Sequence, residues 1–110
     1  MNSQTVGWLG EIRAAAYLRR KGMRILHRRY RTAHGEIDII AREGNTVVFV
    51  EVKTRSRGTL GSGLMAVSPD KQRHIRFAAR QYLSAQNADA FRFDVIEISA
   101  AGLRHIKNAF

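Results

Sequence analysis

The sequence predicts an α/β domain: a mixed β-sheet flanked by helices, in the order α-β-β-β-α-β. Three observations carry that prediction. Two segments repeat apolar residues at helical spacing, while the runs between and after them are short, β-branched and bounded by turn residues. The chain has 110 residues, enough for one core and too few for two, so residues 1–110 read as a single domain. Its 45% hydrophobic and 25% charged residues are an ordinary globular balance, with no repeat, low-complexity tract or linker to mark a boundary.

The first helix runs from about Thr5 to Lys21. Trp8, Leu9, Ile12, Ala15, Ala16 and Leu18 recur there as the expected buried face, and Gly22 is a natural stop. Met23 to Tyr30 alternates apolar and basic residues, as a strand does. Gly35–Ala41 and Thr46–Lys53 are β-branched runs joined by Arg42-Glu43-Gly44-Asn45, a hairpin signal. Arg55 to Val67 contains Gly58, Gly61 and Gly63 without periodicity and reads as a mobile loop. Ser68-Pro69-Asp70 then announces a helix, with a capping hydroxyl, a proline in the first turn and an acid at the positive end of the dipole. Ile75, Ala78, Ala79, Tyr82 and Leu83 give that helix a buried stripe. Phe91–Ile98 is a further strand and Leu103–Ile106 a short last one. If the strands joined by the second helix are parallel, their crossover is right-handed.

Charge narrows the partner. Lys plus Arg number 19 against 9 Asp plus Glu, a formal net charge of +10, and fifteen of the basic residues are arginine. Such a surplus attracts polyanions, nucleic acid above all, and the arginine fork suits phosphate oxygens. Cysteine is absent, which excludes disulfide frameworks, thiolate metal sites and thiol nucleophiles. No window approaches the length of apolar chain that a membrane span needs, so no membrane partner and a cytoplasmic location are expected. The four histidines lack metal-ligand spacing, and the Gly58–Gly63 stretch lacks the ending of a phosphate loop.

The hairpin carries the chemistry. Centred on Gly44 and Asn45, it opposes Ile37 to Val52, Ile39 to Val50 and Ala41 to Val48, one wholly apolar face, and a slip by one residue would mix the faces. On the other face the same register sets Asp38 against Glu51, with Cβ atoms about 4.5–5.5 Å apart. Facing carboxylates repel unless a proton or cation lies between them, and a hard divalent cation such as Mg²⁺ or Mn²⁺ suits paired oxygen ligands. Lys53 follows on the same face, where it could polarise a phosphoryl oxygen. Lys53 also faces Glu36 in this register, and a solvated charge ladder would account for that pair without any function.

These residues carry a resemblance. Gly35-Glu36-Ile37-Asp38, then Val47 to Val50 leading into Glu51-Val52-Lys53-Thr54-Arg55, resemble the Asp…Glu-x-Lys core of restriction-endonuclease-like nucleases. Along nearly its whole length the chain resembles the bacterial YraN family, which is similar to archaeal Holliday-junction resolvases. The matching segments include Gly10-Glu11 with Ala14–Leu18, Lys71-Gln72-Arg73, Arg92-Phe93-Asp94-Val95 and Ile106-Lys107-Asn108-Ala109-Phe110. The resemblance implies a restriction-endonuclease-like fold and a metal-dependent endonuclease cutting DNA, with branched or junction DNA as substrate and a homodimer suited to a two-fold junction. It implies Asp38 and Glu51 as metal ligands, Lys53 as the catalytic lysine, and Glu11 as the helical carboxylate completing the site. From the residues alone, Glu11 reads as a helix-surface charge and Asp94 as the partner of a neighbouring arginine.

Arg55, Arg57, Lys71 and Arg73 follow the acidic pair in sequence and are the expected phosphate contacts. With few aromatics placed for stacking, and Trp8 and Tyr17 expected in the core, recognition of backbone and shape is expected rather than of base sequence. The alternative to an enzyme is a non-catalytic nucleic-acid-binding module that keeps the nuclease fold and its charge.

Overall fold

The computed structural model describes residues 3–55 and 67–110. The glycine-bearing loop, and Arg57 within it, fall on 56–66 and so lie outside the described residues. The elements are α1 (Ser3–Arg20), β1 (Arg24–Thr32), β2 (Gly35–Glu43), β3 (Thr46–Thr54), α2 (Pro69–Leu83), β4 (Ala90–Ser99) and β5 (Gly102–Ile106). The five strands form one sheet in the order β1-β2-β3-β4-β5. β3 and β4 are parallel and the other neighbours antiparallel, so the sheet is mixed and α2 lies in the connection between the parallel pair.

Local chemistry sets the helix ends. Gly22, at φ +91°, lets the amides of Gly22 and Met23 reach back to the Arg19 and Leu18 carbonyls (3.0 Å each), closing α1 in a Schellman turn. The Ser68 hydroxyl accepts the Lys71 amide at 3.1 Å to cap α2, with Pro69 at its first turn.

The sheet separates two apolar layers. Ala14, Ala15 and Leu18 of α1 pack on Ile39, Ala41, Val48, Val50, Ile96 and Ile98. Ile75, Ala78 and Ala79 of α2 pack on Ile40, Phe49, Phe93 and Val95 from the other face. The expected face of α1 is only partly the buried one. Ala15 and Leu18 are buried, but Trp8, Leu9 and Ile12 are exposed by 49%, 43% and 38%. The sheet instead meets Gly10, Ala14 and Leu18, a row spaced by four residues that brings the helix backbone close to the strands. At Gly10 the approach is so tight that a Cβ would run into the Thr54 hydroxyl at the end of β3.

Candidate functional site

The hairpin register is the one the apolar pattern selects, from Glu43–Thr46 through Arg42–Val47, Ala41–Val48 and Ile40–Phe49 to Ile39–Val50. There the ladder ends. The expected pairs Asp38–Glu51, Ile37–Val52 and Glu36–Lys53 do not form, because the Val52 amide donates to the Asp38 carboxylate (2.8 Å) rather than to a backbone carbonyl. Beyond this point Ile37 packs in the α2-side layer, whereas strict alternation with Ile39 would put it on the α1 side. The other edge of β2 is irregular at the same level. Pairs Arg28–Ile39 and Tyr30–Ile37 bracket Arg29, whose backbone is left-handed at φ +54°. The β1 ladder skips Arg29 alone and resumes in the same register, whereas the β3 ladder does not resume.

The opening brings two carboxyls together. Asp38 and Glu51 are close enough to share a proton, and the Asp38 pKa is raised to about 8. Burial is the main cause, followed by the Glu51 charge and the hydrogen bond between the two groups; the Val52 amide and Lys71 oppose it. Glu51 is 4% exposed, its Oε1 lies 3.0 Å from Lys71 Nζ, and its buried Oε2 has no hydrogen-bond partner. A cleft of about 400 Å³, lined by Glu36, Asp38, Lys71 and His74 among others, lies between the start of β2 and the first turns of α2.

The remaining expected residues are distributed around this pair. Lys53 is half-buried, two residues beyond Glu51 on the same strand, and in register with Glu97 of β4. Arg55 lies 3.5 Å from the fully buried Glu97 carboxylate. Lys71 is brought to Glu51 by the first turn of α2, while Arg73 turns outward to pair with Asp70. Glu11 is buried rather than exposed on its helix, and it accepts a hydrogen bond from Arg29 Nε at 3.1 Å. Among the described residues, no three His, Asp or Glu side chains gather into a metal cage. Glu11 is linked to Asp38 through Arg29, which feels the charges of Glu11, Glu36 and Asp38 together.

Sequence inspection missed Arg29, the ion pair of Lys71 with Glu51, and Glu97. Glu97 had a signal: it interrupts the alternation of Phe93 and Val95 on the α2 face at the position opposite Lys53. Arg29 had none, because the left-handed backbone that presents it arises only where β1 pairs with β2.

The carboxyl pair fits a hard divalent cation. Both side chains offer oxygens, one Glu51 oxygen is buried without a donor, and the charge repulsion that raises the Asp38 pKa is what a bound cation would relieve.

A second buried acid lies on the opposite face. Asp94 accepts from Arg92 Nε (3.0 and 3.2 Å), from the Asn108 amide (3.1 Å) and from His105 Nε2 (2.7 Å). The expected pairing of Asp94 with a neighbouring arginine is therefore observed. Tyr17 of α1 extends the chain to His105 Nδ1 at 3.1 Å.

A family model described as "Uncharacterised protein family UPF0102" matches residues 10–98. The UPF0102 protein of Caldicellulosiruptor saccharolyticus is 42% identical over the whole of both chains. That of Geobacter metallireducens is 47% identical over all of this chain and 95% of its own. That of Bradyrhizobium diazoefficiens is 48% identical over 94% of this chain and 80% of its own. With this likeness along its full length, the chain belongs to the uncharacterised protein family UPF0102, the YraN family whose motifs its sequence carries.

Proposed function

We propose that this protein is a metal-dependent endonuclease of restriction-endonuclease-like fold that hydrolyses phosphodiester bonds in DNA. One observation carries the proposal: Asp38 and Glu51 are driven together where β2 leaves β3, with a buried Glu51 oxygen left unpartnered. Asp38 and Glu51 would hold Mg²⁺ or Mn²⁺, which supplies Lewis acidity and a water of lowered pKa at the scissile phosphate. Lys53 would stabilise negative charge on that phosphate from the same strand face. Lys71 would leave Glu51 for a phosphate oxygen when substrate enters the cleft, and Arg55, Arg57 and Arg73 would hold the backbone. Glu11, held by Arg29 on the α1 side and not gathered with the pair, would have to leave Arg29 to complete the proposed metal set. The net charge of +10 supports a polyanionic substrate, branched DNA is the structure we favour, and a homodimer would suit a two-fold junction. Among the described residues no helix is long and apolar enough to cross a membrane. Action in the cytoplasm is part of this proposal.

The test is a Mg²⁺ and Mn²⁺ titration of wild type and Asp38→Asn, followed by thermal denaturation and then by cleavage of branched and linear DNA. Either cation should raise the wild-type midpoint and leave the variant unmoved. Asp38→Asn and Lys53→Ala should abolish cleavage while DNA binding persists. One observation favours a second function, binding without cleavage: Lys71 already neutralises Glu51, which a site without a cation requires. Tight DNA binding with neither cleavage nor a cation-induced shift, even with branched DNA present, would establish it.

A further inference from the structure

Resting on the nuclease proposal, we propose that Trp8, with Leu9 and Ile12, is a stacking platform for unpaired nucleobases, so that the protein prefers DNA with a single-stranded segment beside the duplex. The three side chains form a contiguous strip on α1. They are 49%, 43% and 38% exposed, whereas the same helix buries Ala14, Ala15 and Leu18 almost completely. An apolar strip that a small soluble domain leaves in water marks a contact surface.

Its surroundings select nucleic acid as the occupant. The only acid on α1 is Glu11, which is buried and engaged by Arg29, so the helix surface around the strip is basic, with Arg13 beside it and Arg19 and Arg20 in the last turn. Phosphates are attracted to such a border, and every base has a face that stacks on an indole. A second copy of a chain carrying +10 is repelled by the same border.

Position ties the strip to the proposed chemistry. Gly10, between Leu9 and Glu11, presses against Thr54, the residue after Lys53, so this turn of α1 sits at the end of β3. Trp8 is one helical turn before Glu11, whose partner Arg29 lies opposite Asp38. A base on Trp8 therefore lies on the α1 side of the sheet, near the end of β3 that carries Lys53 and Thr54.

Trp8 is the sole tryptophan, so its emission reports the contact directly. In metal-free buffer, wild type is titrated with a single-stranded oligothymidylate and with a blunt duplex of equal length, while anisotropy of labelled DNA measures affinity independently. Single strand should quench Trp8 and duplex should not. Trp8→Ala should weaken single-strand binding about tenfold, leaving duplex affinity unchanged, and Trp8→Phe should retain most of it. Single-strand binding without an emission change, or equal weakening of both DNAs in Trp8→Ala, overturns the proposal. So does a Trp8 response to protein concentration with a doubled mass, or to anionic vesicles but not to DNA. Cleavage that persists with no Trp8 response removes this inference alone, whereas loss of all DNA binding removes the nuclease proposal with it.

Discussion

Asp38 is half-buried and Asp94 fully buried, both on inner strands of one sheet, and their electrostatics are opposite. Burial pushes both pKa values up. At Asp94, His105, Arg92 and the Asn108 amide donate to the carboxylate and together pull its pKa below the ordinary value. At Asp38 one amide donates and the nearest side chain is another acid, so the pKa is raised to about 8. The difference teaches that depth alone does not mark a functional acid; the count and sign of its donors do. Asp94 is a satisfied anion that ties β4 to β5 and the C-terminal turn. Asp38 is short of positive partners, which is the condition a cation relieves.

The largest effect expected from this contrast is at Asp94. Asp94→Ala removes the shared acceptor of Arg92 and His105, leaving them Glu43 and Tyr17 alone, and should cost about 3–5 kcal/mol in urea denaturation. Because the Asp94 pKa is lowered, its stabilisation is present above the unfolded value near 4 and fades as pH falls below it. An Asp94→Ala variant as stable as wild type would break the comparison.

Asp38→Asn should act in the opposite direction. With its pKa raised, Asp38 favours the fold below the unfolded value, and that contribution is lost as pH rises from about 4 through about 8. The amide keeps an acceptor for Val52 and offers Glu51 a donor. In metal-free buffer at pH 8 the variant should therefore be more stable than wild type, by about 1–3 kcal/mol, with the gap closing toward pH 4. Equal stability of the two proteins at pH 8 would mean that Asp38 carries no such strain.

Lys71→Met gives the smallest change. Lys71 is 42% exposed, so solvent screens its pair with Glu51 and the loss should stay under about 1 kcal/mol. Lys71 lowers the Asp38 pKa, so removing it should steepen the pH dependence of wild-type stability between pH 4 and 8. A pH profile in Lys71→Met that runs parallel to that of wild type would show that the ammonium does not reach the pair.

Much of the candidate site was legible in the chain. The hairpin register followed from which residues could form an apolar face, and it put Asp38 and Glu51 across from each other. Where the ladder ends was not legible, because it depends on the Asp38 side chain displacing a backbone acceptor at Val52. The Arg29 backbone and the ion pair of Glu11 were hidden for a similar reason, since they arise where β1 meets β2 and α1. Trp8 misled: helical spacing names an apolar face but cannot say which part of it the sheet covers, and the small residues Gly10 and Ala14 decided that.

Periodicity, turn residues and caps by themselves determined the order of elements and the pairing of the central hairpin, because these depend on neighbours within a few residues or on one strand facing the next; that β3 and β4 run parallel was left open. Only the tertiary structure decided that Asp94 is fully satisfied, that Asp38 is not, and that Trp8 stays in water. Each depends on donors or surfaces delivered by segments distant in sequence, such as His105 for Asp94 and Thr54 against Gly10. A local pattern carries no record of which distant groups will arrive.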